Sequence, residues 1–364
     1  MIKLILKKIG VSSLVPIAGL FGRKSDLDSA KARNILNSVS PQPTGTGITK
    51  NRLQTPYEYD LQIVIPAYNV EKYLRECIDS VLSQKTKYRY KIVLVDDGAT
   101  DSTPAICDEY ANDDRVEVIH QKNSGLSGAR NRALKQIFAS YVMFLDSDDM
   151  LCENAIESIM NCAVENDAQI VEGGMYDFCE NSITVNYEHK STRKIEYALG
   201  LLAGFACGKV FKAELFENRS FPEGYWFEDT VLSFLMYPLV NNAYFIKDFV
   251  YKYRNNPNSI TNLSTHNPRC CETYWITETL LQEHEKLGLP RDVLYLRKFF
   301  RQVLLNAKRT SAMSKEVQES IFVLSCELMD KYIDSSKVTP YWKALYKCMK
   351  NRKFEAYRLF CRLK

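Results

Sequence analysis

Tyr141-Val-Met-Phe-Leu-Asp146-Ser-Asp148-Asp149 sets the fold class. Five uncharged residues, three of them β-branched or aromatic, read as a buried strand. The run then stops on three carboxylates within four residues, and charge at that place needs a reason. In an open α/β sheet the carboxyl ends of the strands face the ligand crevice. Asp146 and Asp148, two apart at a strand end, are therefore spaced to share a hard divalent cation that in turn holds phosphates. An acidic cap on a helix starting near Leu151 is the other reading of the same residues, and the stretch alone does not choose. An EF-hand loop is weakened as a reading, because Leu151 stands where that loop needs glycine and the distal glutamate is missing.

Upstream, Leu61-Gln-Ile-Val-Ile65 reads as a strand ended by Pro66, and Val70, Tyr73, Leu74, Cys77, Ile78, Val81 and Leu82 follow at helical spacing. Lys91–Val95 is the next strand and also runs into acids, Asp96-Asp97-Gly98. Thr103, as cap, and Pro104, in the first turn, open a second helix. Val116–His120 is a third strand, and a helix through Ala129, Ala133 and Ile137 leads back to the run at Tyr141. This alternation predicts a mostly parallel sheet with right-handed crossovers. Two strands thus deliver acids, Asp97 and Asp146, to one edge. A dinucleotide-binding dehydrogenase is excluded, since Pro66-Ala-Tyr-Asn69 replaces the glycine-rich turn after the first strand. Phosphates here need another counter-charge, and a metal on Asp146 and Asp148 supplies one.

Ile65-Pro-Ala-Tyr-Asn69, Val95-Asp-Asp-Gly-Ala-Thr-Asp101, Asn123-Ser-Gly-Leu-Ser-Gly-Ala-Arg-Asn131 and Phe144-Leu-Asp-Ser-Asp-Asp149 resemble, in order, the signatures of family 2 glycosyltransferases of the GT-A fold, of the kind that builds bacterial polysaccharides. The resemblance runs from about Asp60 to Asn262. It implies inverting transfer of a sugar from a nucleotide diphosphate donor, a UDP-sugar, with Mg²⁺ or Mn²⁺ held by Asp148 and Asp146. It further implies that Pro66, Ala67 and Tyr68 line the base pocket and that Asp97 accepts from the pyrimidine ring N–H. Asp146 would lie near ribose and metal. Ala99 departs from the serine usual in the family. Tyr68 is equally readable as a core aromatic. Lys122, Asn123 and Arg130, at the mouth of the third strand, are readable as diphosphate contacts or as surface residues.

Beyond Asp149 the pattern loosens, with strands expected at Gln169–Gly173, Ile183–Tyr187 and Gly204–Phe211. Glu228-Asp229 then falls between aromatic Tyr225-Trp-Phe227 and apolar Val231–Leu235, an expensive place for charge. An inverting reaction needs a carboxylate to take the acceptor hydroxyl's proton, and the resemblance assigns this pair to that place, Asp229 as base and Glu228 on the acceptor. A helix N-terminus that favours acids is the plainer alternative. Tyr225 and Trp226 are readable as a stacking platform or as packing. Tyr251–Arg254 and Asn258–Thr261 resemble the family's segment that closes over the donor.

The remaining chain sets the boundaries: residues 1–59 a basic, partly apolar segment and linker, 60–262 the GT-A domain, and 263–364 a helical appendage with a basic amphipathic tail. Eleven scattered cysteines without C-x-x-C spacing fit reduced thiols filling core space, hence a cytoplasmic setting. No run of about 18 apolar residues occurs. From Lys337 to Lys364 nine Lys and Arg face one acid. Trp342, Leu345, Tyr346 and Met349 share a helical face, followed by Phe354, Tyr357 and Phe360. That pattern is expected to bind an anionic membrane surface peripherally at the cytoplasmic face, with a solvated basic helix as the alternative. Nucleic acid is not expected as a partner. The acceptor is expected to be a glycan or lipid-linked glycan. A nucleotidyltransferase and a non-catalytic nucleotide-sugar-binding protein are the rival functions.

Overall fold

The computed structural model describes residues 23–179, 182–196, 198–256, 259 and 263–363. Residues 1–22 and most of Asn258–Thr261, for which an interfacial segment and a donor-closing segment are expected, lie outside that set. Two compact units are present, one of residues 44–257 and one formed by residues up to 43 together with those from 258 onward. The division at Pro43 falls inside the turn-rich run Ser40–Gly47.

In the larger unit β1 (Arg52–Leu53) pairs in parallel with β5 (Gln136–Ile137), and β2 (Tyr59–Ala67), β3 (Tyr90–Asp96), β4 (Val116–His120) and β6 (Ala139–Phe144) form a parallel set in the order β6-β2-β3-β4. Their connections carry α2 (Leu74–Leu82), α3 (Thr103–Glu109) and α4 (Gly125–Leu134). Past β6 the sheet becomes mixed. β11 (Lys209–Lys212) runs antiparallel to both β6 and β8 (Ile170–Cys179), and β12 (Ala243–Arg254) lies parallel to β8. β9 (Ser182–Tyr187) extends β8 as an antiparallel pair, and β10 (Arg193–Ile195) pairs antiparallel with β12. The two-residue β7 (Met150–Leu151) pairs with β12, so Leu151 sits in a strand and the next helix, α5, begins only at Ala155. α2 buries Leu74, Cys77, Ile78 and Val81 against the sheet, at the spacing one helical face requires.

Pro66 does not end β2; it pairs with Val95. The Val64 carbonyl accepts from the Leu145 amide, so Pro66, two residues on, faces the same side, where β6 has already stopped at Phe144. Its missing N–H therefore breaks no ladder bond. The Thr103 hydroxyl is not a cap either. It accepts from the Val70 amide, while Asp101 receives the Thr103 amide at 2.9 Å.

The second unit contains α1 (Ser29–Val39), α6 (Glu272–Lys286), α7 (Val293–Arg309), α8 (Lys315–Tyr332), α9 (Lys343–Lys350) and α10 (Phe354–Leu363). Residues 29–39, expected as linker, are thus a helix of this unit. Asp28 caps α1 by accepting from the Lys31 amide. Arg33 forks onto Glu278 at 2.5 and 3.0 Å, and the Trp275 indole donates to the Ser40 carbonyl at 2.7 Å. Nine of the eleven cysteines are buried and all are free thiols.

The tail corrects a second expectation. Trp342, Leu345, Met349, Phe354, Tyr357 and Phe360 are each less than 5% exposed. Trp342 stacks on Phe300 at 5.4 Å between ring centroids, and Tyr357 meets Phe322 at 4.7 Å. The apolar face therefore closes the helical core and is not available to insert into lipid. Lys343, Lys347 and Lys350 point outward. Among the described residues no helix is long and apolar enough to cross a membrane.

Removing one large buried aromatic costs about 3–5 kcal/mol, against a typical domain stability of about 5–15 kcal/mol. Trp342→Ala is expected to lower the stability of the helical unit by about that first amount, read by denaturant titration. Deletion of residues 337–364 is expected to leave this unit susceptible to brief proteolysis.

Candidate functional site

The carboxyl ends of β2, β3 and β6 meet at one edge, and the loops that follow them carry the polar residues. β3 ends on Asp96. Gly98 then turns with φ of +70°, and a Cβ there would stand 2.9 Å from the Asn123 amide nitrogen, so only glycine lets the two loops approach. Asp97 is 2% exposed. Its Oδ1 accepts from the Gln121 side chain at 2.7 Å and from the Ser124 amide at 2.8 Å. Among the described residues its Oδ2 takes no hydrogen bond. Pro66 and Ala67 are buried beside it, while Tyr68 is 47% exposed, which excludes the core reading of that ring. Lys122 and Asn123 are exposed on the loop entering α4, and Asn123 Oδ1 accepts from the Gly125 amide.

Arg130 is neither a surface residue nor free to meet a diphosphate. It is 1% exposed on the buried face of α4. Its Nη1 donates to Glu228 Oε1 at 2.7 Å and to Asp229 Oδ1 at 3.1 Å, and its Nη2 donates to Asp146 Oδ1 at 2.8 Å. The guanidinium lies over the rings of Phe221 and Phe144. Burial opposes its charge, yet Asp146, Asp229 and Glu228 together hold it firmly protonated. One cation thus joins the strand-end acid to the distant acidic pair.

The pair is held from both sides. Asn131, the neighbour of Arg130, donates to the Phe221 carbonyl at 2.8 Å and accepts from the Phe221 amide at 2.9 Å. Phe227 takes a left-handed φ of +65°, a costly conformation for a bulky residue, immediately before Glu228. A π-helical turn, Leu232–Met236, follows Asp229; such turns recur at functional sites. Glu228 is buried, and burial together with the Asp229 charge pushes its carboxyl up to about 7, against the pull of Arg130. Asp229, with a quarter of its side chain exposed, is also raised, by burial first and by Asp146, with Arg130 opposing. Tyr225 is 5% exposed and packs, whereas Trp226 is half-buried.

The acids after β6 divide in role. Asp149, 1% exposed, accepts from the Tyr251 hydroxyl at 2.6 Å and from the Arg254 amide at 2.7 Å, and so anchors the loop to β12. The Tyr251 hydroxyl in turn accepts from the Asp146 amide. Asp148 Oδ2 accepts from Asn256 at 2.9 Å, and burial raises its carboxyl, with Asn256 opposing and the Asp146 charge adding to the rise. Cys207 donates its thiol to Asp146 Oδ2 at 3.3 Å. Asp146 and Asp148 offer hard oxygen ligands whose mutual repulsion a divalent cation would relieve. Among the described residues no three His, Cys, Asp or Glu side chains converge into a metal cage. This donor set suits an ion that takes its other ligands from phosphate and water. Cys207 and Asn256 carry no sequence signal of their own, and Asn131 and Tyr251 are marked only as members of resembling stretches, because the partners of all four lie 61–108 residues away in the chain.

Residues 62–217 match the family model described as "Glycosyl transferase family 2". Glycosyltransferase GlyA of Streptococcus pneumoniae serotype 4 is 34% identical over 222 residues, 56% of this chain and 32% of GlyA, so the match spans about a third of that relative. Glycosyltransferase GlyG of the same organism is 33% identical over 221 residues, 55% of this chain and 72% of GlyG. Among solved structures, S. aureus TarS 1–349 in complex with UDP-GlcNAc superposes with a TM-score of 0.66 at 19% identity, covering 83% of this chain and 90% of that one, a likeness of fold. With that fold, the four ordered motifs and the match to GlyG, the chain belongs to glycosyltransferase family 2.

Proposed function

We propose that the protein is an inverting, metal-assisted glycosyltransferase that moves a sugar from a UDP-sugar to a glycan or lipid-linked glycan. The observation that carries this reading is the Arg130 bridge, which brings the strand-end acid Asp146 and the pair Glu228/Asp229 around one cation at the mouth of the crevice. The UDP-GlcNAc bound by TarS, which shares the fold, supports UDP as the nucleotide.

In this reading Pro66, Ala67 and the exposed Tyr68 cover the base, and Asp97 Oδ2 accepts the pyrimidine N–H while Gln121 and Ser124 hold Oδ1. Asp148 and Asp146 would hold Mg²⁺ or Mn²⁺, which supplies positive charge to the diphosphate as it departs. Asp229 takes the acceptor hydroxyl's proton as that oxygen attacks the anomeric carbon from the face opposite the diphosphate. Glu228, titrating near 7, orients the acceptor. Arg130 fixes the distance between donor acid and base, and its charge keeps Asp229 from rising further. Surface attachment in this reading rests on exposed basic side chains such as Lys343, Lys347, Lys350 and Arg362.

Incubation with a panel of nucleotide sugars and Mn²⁺ is expected to release free UDP from at least one; no release from any sinks the reading. Asp148→Ala is expected to abolish turnover while leaving the melting temperature unchanged, and excess EDTA is expected to do the same to the unmodified protein. Asp229→Asn keeps the shape but not the basicity, so transfer is expected to fall by ~10²–10⁴ with donor affinity retained. A parallel collapse in donor affinity would instead put Asp229 in the nucleotide site. The base works only when ionised, and both carboxyls of the pair are raised. Rate is therefore expected to fall on the acid side as the coupled pair takes up protons, Glu228 being pushed up to about 7 and Asp229 raised above the ordinary carboxylate range, and to level off at higher pH. A flat profile between about pH 5.5 and 8 would contradict the assignment.

A further inference from the structure

Lys209 is a lysine with no exposed surface in the strand next to β6, and nothing in the proposed chemistry uses it. It stands directly opposite Glu172 in the β11–β8 ladder, and its Nζ lies 2.9 Å from Glu172 Oε2. A buried ion pair is weak evidence for stability, since desolvating two charges commonly cancels their attraction. The other contacts of Lys209 indicate a use. Its Nζ donates to the Phe205 carbonyl at 2.8 Å and to the Cys207 carbonyl at 3.3 Å, and it lies 4.2 Å from the centre of the Phe205 ring. Gly208, with φ of +68°, bends the chain so that residues 205–207 curl back over the ammonium.

We infer that the buried Lys209–Glu172 pair is a positioning device for the proposed base, holding the turn 205–207 against Asp229 on one side and Asp146 on the other. The inference rests on the reading of Asp229 as base. The turn faces both acids: the Cys207 thiol donates to Asp146 Oδ2 at 3.3 Å, and the Ala206 amide lies near enough to Asp229 to favour its ionised form. The Phe205 carbonyl shares one peptide plane with the Ala206 N–H, and the ammonium pins that carbonyl as well as that of Cys207, so the direction of the Ala206 amide is set by Lys209. Glu172 is pinned in turn. It accepts from the Ala203 amide at 2.9 Å and stands 3.1 Å from His189, whose ring stacks on Phe245 at 3.8 Å. Burial works against its charge, yet Lys209, His189 and that amide hold the carboxyl below its ordinary range.

The charges facing Asp229 are Arg130 and Lys209, which favour its ionised form, and Asp146, which opposes it, with Glu228 beside it sharing Arg130. Loss of Lys209 thus removes one of two cations from the base and frees the amide that aims at it. Lys209 acts through Asp229 and does not itself touch the reacting atoms.

Lys209→Met alone leaves Glu172 buried without its cation, so the informative variant is Lys209→Met with Glu172→Gln, which removes both charges. It is expected to bind UDP within about twofold of the parent while kcat falls about tenfold or more, as a misplaced catalytic group would cause. The acid limb of its pH–rate profile is expected to move to higher pH, because a carboxylate that loses a cation titrates later. Ala206→Pro deletes the amide with the pair intact and is expected to reproduce the loss in kcat at unchanged UDP affinity, which decides the matter if the double variant does not fold. Parent-like kcat in either variant overturns the inference, and so does a loss of UDP affinity equal to the loss in kcat. Carboxyl NMR titration of Asp229 in the free double variant is read without turnover. An upward shift there supports the positioning role even if the parent transfers no sugar, an outcome that would fall on the proposed function instead.

Discussion

A single buried guanidinium constrains the catalytic unit. Three carboxylates from two remote stretches cannot converge in a low-dielectric site without a cation among them, and Arg130 is that cation. It is stoichiometrically short. Among the described residues Arg130 alone forms ion pairs with Asp146, Glu228 and Asp229, and the nearby charge of Lys209 is offset by Glu172, so the cluster stays negative, and Asp148 adds to it. Burial first, and the neighbouring negative charge after it, raises the carboxyls of Glu228, Asp229 and Asp148. A site with that deficit favours a further cation, or protons, or both, and in the proposed reading a divalent ion beside Asp146 and Asp148 would meet the need.

The scaffold answers the same constraint through backbone. α4 carries Arg130 and Asn131 side by side, so the helix that supplies the cation also clamps the chain at Phe221 before it reaches the acidic pair. Phe227 in a left-handed conformation and the π-turn after Asp229 are local departures from regular geometry, and they occur where two acids must face inward. Tyr251 performs the equivalent task for the other loop, bonding Asp149 and the Asp146 amide from β12.

Charge is divided between the units. Residues 1–43 and 258–364 hold 26 Lys and Arg against 13 Asp and Glu, while residues 44–257 hold 22 against 31. Basic character therefore belongs to the helical unit as a whole and is not confined to its last helices. An anionic donor, in the proposed reading, would enter a unit of net negative charge, so its recognition would come from local groups and not from the overall field.

The parallel half of the sheet is legible in the amino-acid order, because each strand there is a short apolar run closed by acids or turn residues and each crossover helix repeats at 3.6. The same reading locates Asp97, Asp146, Asp148 and Glu228/Asp229, since carboxylates at the ends of apolar runs are conspicuous wherever they occur. What those acids touch is settled by folding. Arg130 and Glu228 are 98 residues apart, and Lys209 and Glu172 meet only through strand register, so no spacing announces either pair. The tail shows the same limit from the other side: Trp342, Leu345 and Met349 lie on one helical face whether that face meets lipid or protein, and only the packing of Phe300 against Trp342 assigned it to a core. Periodicity reports that a face is apolar; its partner is a property of the fold.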